Sequence, residues 1–224
     1  MQSTTFYLEN GKINSRRDEY GNDSYEMVYE IPVLPAYAIT HYHIDALRSS
    51  LDGEVTFPPS VIVGPQVIIP GADGVSFKYM YHAPVLTIYY IGIRDYKLLF
   101  PDIGDSALRE RMGEFMEEAD KTFSEGAWIS FMIMAGAVFE GRLAYMLNSY
   151  NVPHGGLVSE VEKLEMMEDE EIEVIKSVKD YRNLVHAGKY KENLKVSRNS
   201  AMTVRLILDE YIKKDWSRLG GRSE

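Results

Sequence analysis

The sequence predicts an α+β protein: a β-rich N-terminal region over residues 1–100, followed by a helical bundle over residues 101–224. Three observations predict it. Most prolines and many tyrosines fall in the first hundred residues, in short β-branched and aromatic runs separated by turn residues. After Pro101 the apolar residues recur at helical spacing instead. The second half also carries helix start and stop signals at regular intervals.

Along the N-terminal region, residues 9–24 are polar and rich in Gly, Asn and Asp, and are expected to form a loop. Strands are expected over Tyr25–Ile31, Ser60–Ile69, Gly74–Tyr81 and Pro84–Ile93, with Pro70-Gly71-Ala72-Asp73-Gly74 as a turn. Pro35–Leu51 reads as a helix. Pro35 suits a first helical turn, Ile39, His43 and Leu47 share a face, and Gly53 follows the end.

In the C-terminal half, Ser106 is the expected N-cap of a first helix that repeats Leu108, Met112, Phe115, Ala119 and Phe123. A second, nearly all-apolar helix spans Glu125–Tyr150 and is closed by Asn151-Val152-Pro153-His154-Gly155-Gly156. A third runs from Leu157 to Met167. The acidic run Glu168-Asp169-Glu170-Glu171 opens a fourth, where negative charge complements the helix N-terminus. That helix, Glu171–His186, carries Val174, Val178, Tyr181 and Val185 as its buried stripe, and Ala187-Gly188 ends it. A fifth begins near Asn199, with Ala201, Val204, Leu208, Tyr211 and Ile212 inward.

Composition narrows the function. The chain has 224 residues and no cysteine, so disulfides and thiolate metal sites are excluded. The first residues, Met1-Gln2-Ser3-Thr4-Thr5, lack the basic and apolar regions of a signal peptide. The longest apolar run, Ala127–Phe139, has 13 residues, short of the roughly 20 that span a bilayer. A cytoplasmic protein without a membrane segment is the expectation. The net charge of −10 opposes broad, sequence-independent nucleic-acid binding. Its distribution is uneven: residues 102–173 hold 17 Asp/Glu against 5 Lys/Arg, and residues 176–222 hold 12 Lys/Arg against 5 Asp/Glu. The basic end is either a solvated set of helix faces or a surface that attracts a phosphate backbone.

The sharpest chemical signal is Tyr181-Arg182-Asn183-Leu184-Val185-His186. Residues four apart on a helix are neighbours, with Cβ atoms about 5–6 Å apart. One face can therefore hold a phosphate with Arg182 and move a proton with His186, while the Asn183 amide orients the group. Such an Arg can stabilise the charge of a phosphorane-like transition state. The same residues also admit a structural role, with Arg182 paired to Glu140, because a carboxylate at the end of an apolar helix needs a partner. His41-Tyr42-His43 does not form a metal site in a helix, where residues two apart diverge, and no third ligand stands nearby in sequence. His82 and His154 are single and carry no argument. Walker, dinucleotide-binding, nucleophile-elbow and His-Glu-x-x-His motifs are missing, and no metal or cofactor is implied.

The C-terminal half resembles the HEPN superfamily, in its bacterial branch with an Arg-Asn motif in the last long helix. The matching features are a Trp-containing apolar helix ending in Phe139-Glu140-Gly141-Arg142-Leu143, a middle helix, and Asp180-Tyr181-Arg182-Asn183-Leu184-Val185-His186. They cover about 120 residues, from Pro101 to Trp216. The resemblance implies a bundle that dimerises through its motif-bearing helices. It also implies a metal-independent ribonuclease of toxin–antitoxin, stress-response or phage-defence systems, with Arg182, Asn183 and His186 as a composite site. RNA and an antitoxin-type protein are the partners it implies. Other branches of the superfamily are non-catalytic binding or dimerisation modules. The family's motif usually has four to six residues between Arg and His, and this chain has three. Each residue removed turns the His about 100° around the helix.

Overall fold

A computed structural model describes residues 1–17, 23–46, 59–71, 83–183 and 195–214. The architecture is α+β, with seven strands followed by five α-helices among these residues. The chain divides into two compact units, Met1–Asp95 and Tyr96–Glu224.

The first unit contains β1 (Gln2–Tyr7), β2 (Lys12–Arg17), β3 (Asp23–Glu30), β4 (Tyr37–Asp45), β5 (Val61–Val63), β6 (Gln66–Gly71) and β7 (Val85–Ile93). They form two antiparallel sheets, of order β1-β7-β4 and β2-β3-β6-β5. In the first sheet Phe6 pairs with Leu86 and Thr4 with Ile88, and all four side chains are buried. Tyr37 packs edge-on against both Phe6 and Tyr90, at ring separations of 6.1 and 4.9 Å. These two tyrosines are therefore core residues of a sheet, where an aromatic ring covers a half-buried pleat. In the second sheet Val28, Tyr29, Val67 and Ile69 are the buried members.

Four expectations for this unit are corrected. Pro35–Leu51 is not a helix: Leu34–Ala36 is a single 3₁₀ turn that contains Pro35, and Tyr37–Asp45 is strand β4. The register of β4 against β7 shifts between Tyr37 and Ile39 and again between Ile39 and His41. Such irregularities break the two-residue alternation by which a strand is recognised. As a result Ile39 and His43 mimic a helical face; Leu47 lies outside the described residues. Residues 9–24 are not a continuous loop. Lys12–Arg17 pairs with β3 as an exposed edge strand, which needs no apolar alternation and is protected by its charges. Ser60–Ile69 is two strands, because Gly64, at φ +59°, and Pro65 form a tight turn that pairs Val63 with Gln66. Pro70 and Gly71 belong to β6 and not to a turn. The Gly74–Tyr81 strand and the rest of that turn lie outside the described residues.

The second unit starts at Tyr96, and its 3₁₀ turn Tyr96–Leu99 packs on the first helix. A Cβ on Gly113 would sit 2.8 Å from the Lys97 amide nitrogen, so only glycine admits that approach. The helices are α1 (Ser106–Ser124), α2 (Trp128–Met146), α3 (His154–Lys163), α4 (Asp169–Asn183) and α5 (Arg198–Lys213). The N-cap of α1 is Asp105, whose carboxylate accepts from the Ala107 and Leu108 amides at 2.9 and 3.0 Å; Ser106 is the first helical residue. Helix α5 is capped by a reciprocal Ser197/Ser200 box and buries Ala201, Val204, Leu208, Tyr211 and Ile212.

Helix α2 is the centre of the bundle and packs on each of the other four helices. It is the one described helix long and apolar enough to cross a membrane, and it buries Phe131, Met132, Ala135, Val138, Phe139 and Leu143 inside the bundle. It also buries Arg142, which is 1% exposed, donates to Asp102 and lies over the Phe100 ring. Two further expectations change here. Helix α3 begins at His154, so His154-Gly155-Gly156 is its first turn rather than a closing loop. Pro153 holds φ −60° at the N-cap, and proline is well tolerated at a helix start. The buried stripe of α4 is Ile172, Ile175 and Val178; Val174 and Tyr181 are only partly covered, and Val185 lies outside the described residues.

Candidate functional site

Helices α2, α3 and α4 enclose a cleft of about 640 Å³, lined by Ile133, Glu140, the turn Pro153–Gly156, Lys179, Arg182 and Asn183. Each helix contributes one chemical element, and the packing of α4 on α2 sets the geometry.

Arg182 lies in the last turn of α4. Its stem rests on α2 over Gly136: a Cβ there would overlap Arg182 Cδ, reach Arg182 Cγ at 3.2 Å and Val178 Cγ1 at 3.0 Å. One turn further along α2, Glu140 receives the guanidinium in a short ion pair. Gly136 and Glu140 thus act together, one making room for the arm and the other holding its head. Both partners are about one-third exposed, so the pair sits at the cleft wall and not in the core. Asn183 is the last described residue of α4 and lines the same cleft. His186 lies outside the described residues.

Helix α3 adds a residue to which the sequence alone assigns no role. His154 is 7% exposed, and among the described residues no hydrogen bond of good geometry reaches its ring nitrogens, although the Ile175 carbonyl lies near the ring. Its Nδ1 stands 3.7 Å from Glu140 Oε2. Burial pushes its pKa below the usual 6.5; Glu140 opposes that shift, Arg182 adds to it, the Ile175 carbonyl opposes it and Lys179 adds to it. The ring is therefore neutral near pH 7, poised between one carboxylate and two cations.

Lys179, one turn before Arg182 on α4, completes the wall. Its Nζ lies over the first turn of α3, 2.7 Å from where a Gly155 Cβ would be, and it forms no ion pair among the described residues. The first turn of α3 carries no acidic residue and no side-chain cap. Gly156 and Leu157 donate to the Pro153 carbonyl, which leaves the His154 and Gly155 amides with no acceptor inside the helix.

The structure therefore brings Arg182, Asn183 and Glu140 together and adds His154 and Lys179. Two signals could have found the additions. Lys179 stands three residues from Arg182, hence on its face. Pro153 precedes the apolar positions Leu157, Val158 and Val161, so the Pro-His-Gly-Gly stretch opens a helix. His41 and His43 lie on the exposed edge strand β4, with His41 stacked on Tyr89 at 4.2 Å. Among the described residues no three His, Asp or Glu gather as a metal site. Compared with known proteins, the chain matches no family model, no curated protein and no solved structure.

Proposed function

We propose that the helical unit is a HEPN-like, metal-independent RNA endonuclease, acting as a cytoplasmic homodimer in stress response or phage defence. The observation that carries this reading is the convergence of Arg182 and Asn183 on an open cleft. A guanidinium and an amide reserved for packing would be covered; these two line a space of ligand size.

In this reading Arg182 binds the scissile phosphate and Asn183 orients it. His186 takes the proton of the ribose 2′-hydroxyl as its oxygen attacks the adjacent phosphorus. The P–O5′ bond breaks, the leaving oxygen acquires a proton, and the products are a 2′,3′-cyclic phosphate and a 5′-hydroxyl. Arg182 stabilises the charge that builds up on the phosphorane-like transition state. Dimerisation through the motif-bearing helices would bring two such sets together, and an antitoxin-type partner would cover them.

The Arg182–Glu140 ion pair favours a second reading. It neutralises the phosphate-binding charge and fastens α4 to α2, as expected of a non-catalytic module that binds a protein or small ligand. The two readings separate in one experiment: labelled tRNA and mRNA are incubated with the purified protein in EDTA, beside Arg182→Ala and His186→Ala. Cleavage that survives chelation and disappears in both variants supports the endonuclease. Intact RNA with the wild-type protein, alongside an active control nuclease, refutes it and leaves the binding module.

A further inference from the structure

The cleft contains an electrostatic arrangement that the folded chain does not balance by itself. Three positive elements meet there: the Arg182 guanidinium, the Lys179 ammonium and the N-terminal turn of α3. A helix N-terminus behaves as roughly half a positive charge, so an ammonium above it is repelled. Lys179 nevertheless stands over Gly155 with no carboxylate partner among the described residues. Among the described residues Glu140 is the single carboxylate on the wall, and Arg182 occupies it. An independent observation sits at the same place. His154 is more than nine-tenths buried, lines the cleft, and makes no hydrogen bond of good geometry through either ring nitrogen; Glu140, at 3.7 Å, and the Ile175 carbonyl are its polar neighbours there. A buried imidazole whose nitrogens are so incompletely satisfied is costly unless something else supplies a partner.

We propose that this cleft binds a phosphate group, carried by a nucleotide or by a single-stranded RNA, between Lys179, Arg182, the free amides at the start of α3, and His154. The proposal deepens the endonuclease reading by adding Lys179 and His154 to its site, yet it holds equally for a ligand that is bound and not cleaved. An anion offsets the repulsion between Lys179 and the α3 N-terminus, and backbone amides at a helix start are suited donors to phosphate oxygens. Gly155 leaves those amides uncovered by any side chain of its own. Helix α2 contributes Glu140, which opposes an anion; helix α4 contributes Lys179 and Arg182, which oppose a proton on His154. A bound phosphate reverses the second effect, and a protonated His154 beside Glu140 cancels the first. Phosphate binding and proton uptake at His154 are therefore linked, and each favours the other.

The test uses the full-length protein and a fluorescent 2′-O-methyl oligoribonucleotide, which lacks the hydroxyl needed for cleavage, followed by anisotropy in EDTA. Adenosine monophosphate and inorganic phosphate serve as competitors. Lys179→Ala, an exposed change that leaves the core intact, is expected to weaken binding about tenfold, since it removes one charge-assisted contact. Lys163→Ala, at the opposite end of α3, is expected to bind like wild type. Affinity is expected to rise as the pH falls from about 8 to about 6, and to lose that dependence in His154→Gln. Competition by the mononucleotide as well as by RNA assigns the site to a free phosphate ester; binding of the oligonucleotide alone assigns it to an RNA backbone. Failure of all three probes to bind, or equal binding by wild type and Lys179→Ala, overturns the proposal. Phosphate binding without RNA cleavage sustains it and removes the nuclease reading. Cleavage lost in His186→Ala but unchanged in Lys179→Ala and His154→Gln does the reverse.

Discussion

Replacing Gly136 by alanine separates helix propensity from packing, because the two effects have opposite signs at this residue. In the interior of an exposed helix, Gly→Ala stabilises by about 0.8–1.0 kcal/mol. Here the added methyl would sit 3.0 Å from Val178 Cγ1 and would overlap the Arg182 stem, where carbon atoms prefer separations of about 3.5–4.0 Å. Overpacking of this kind costs about 1–3 kcal/mol. The expected net effect is a destabilisation of about 1 kcal/mol, or a fall in Tm of roughly 3–5 °C for a unit of this size. Thermal unfolding followed by circular dichroism at the helix band reads the second unit selectively, since the five α-helices of the described residues lie there. In an Arg182→Ala background the stem is gone, and the same Gly136→Ala change should cost less by about 1 kcal/mol, the coupling expected of side chains in contact. A rise in Tm on Gly136→Ala, as propensity alone dictates, would refute the reasoning. So would a shift that is the same with and without the Arg182 side chain, because α4 would then not rest on α2 in the manner described.

Two further outcomes follow from buried charge. Asp102→Ala removes the carboxylate from the fully buried Arg142, and loss of one partner of such a pair costs about 3–5 kcal/mol; a urea midpoint equivalent to less than 1 kcal/mol would show that the pair contributes little. His154 predicts a pH dependence of stability. Its folded pKa lies below the unfolded 6.5, so the unfolded chain takes up the proton first as the pH falls. Its contribution is fully present above pH 6.5 and declines below it, toward the folded value. His154→Gln should flatten that part of the profile; parallel urea-stability curves for wild type and variant below pH 6.5 would contradict it.

The helical half was the more legible in sequence, for a physical reason. Apolar residues at a period of 3.6 report burial directly, and the inner face of α5 follows from Ala201, Val204, Leu208, Tyr211 and Ile212 without any knowledge of neighbours. In helix α4 the buried stripe is Ile172, Ile175 and Val178 and not the one the period suggests, because which apolar residues are covered depends on where α2 and α3 lie. The β half was less legible. Strand β4 is irregularly paired at an edge, and β2 is a polar edge strand whose existence depends on β3. A strand's partner is remote in sequence, so its pattern is incomplete when read alone.

The sequence by itself determined the α+β class, the helical C-terminal half, the absence of thiol chemistry, and the proximity of Arg182 and Asn183 on one helix. These are consequences of composition and of local periodicity. Only the tertiary structure decided that Glu140 holds Arg182, that Gly136 makes room for its stem, and that His154 and Lys179 join them at one cleft. Those residues belong to three different helices. Their meeting is set by how side chains pack between helices, and no helical period encodes that distance.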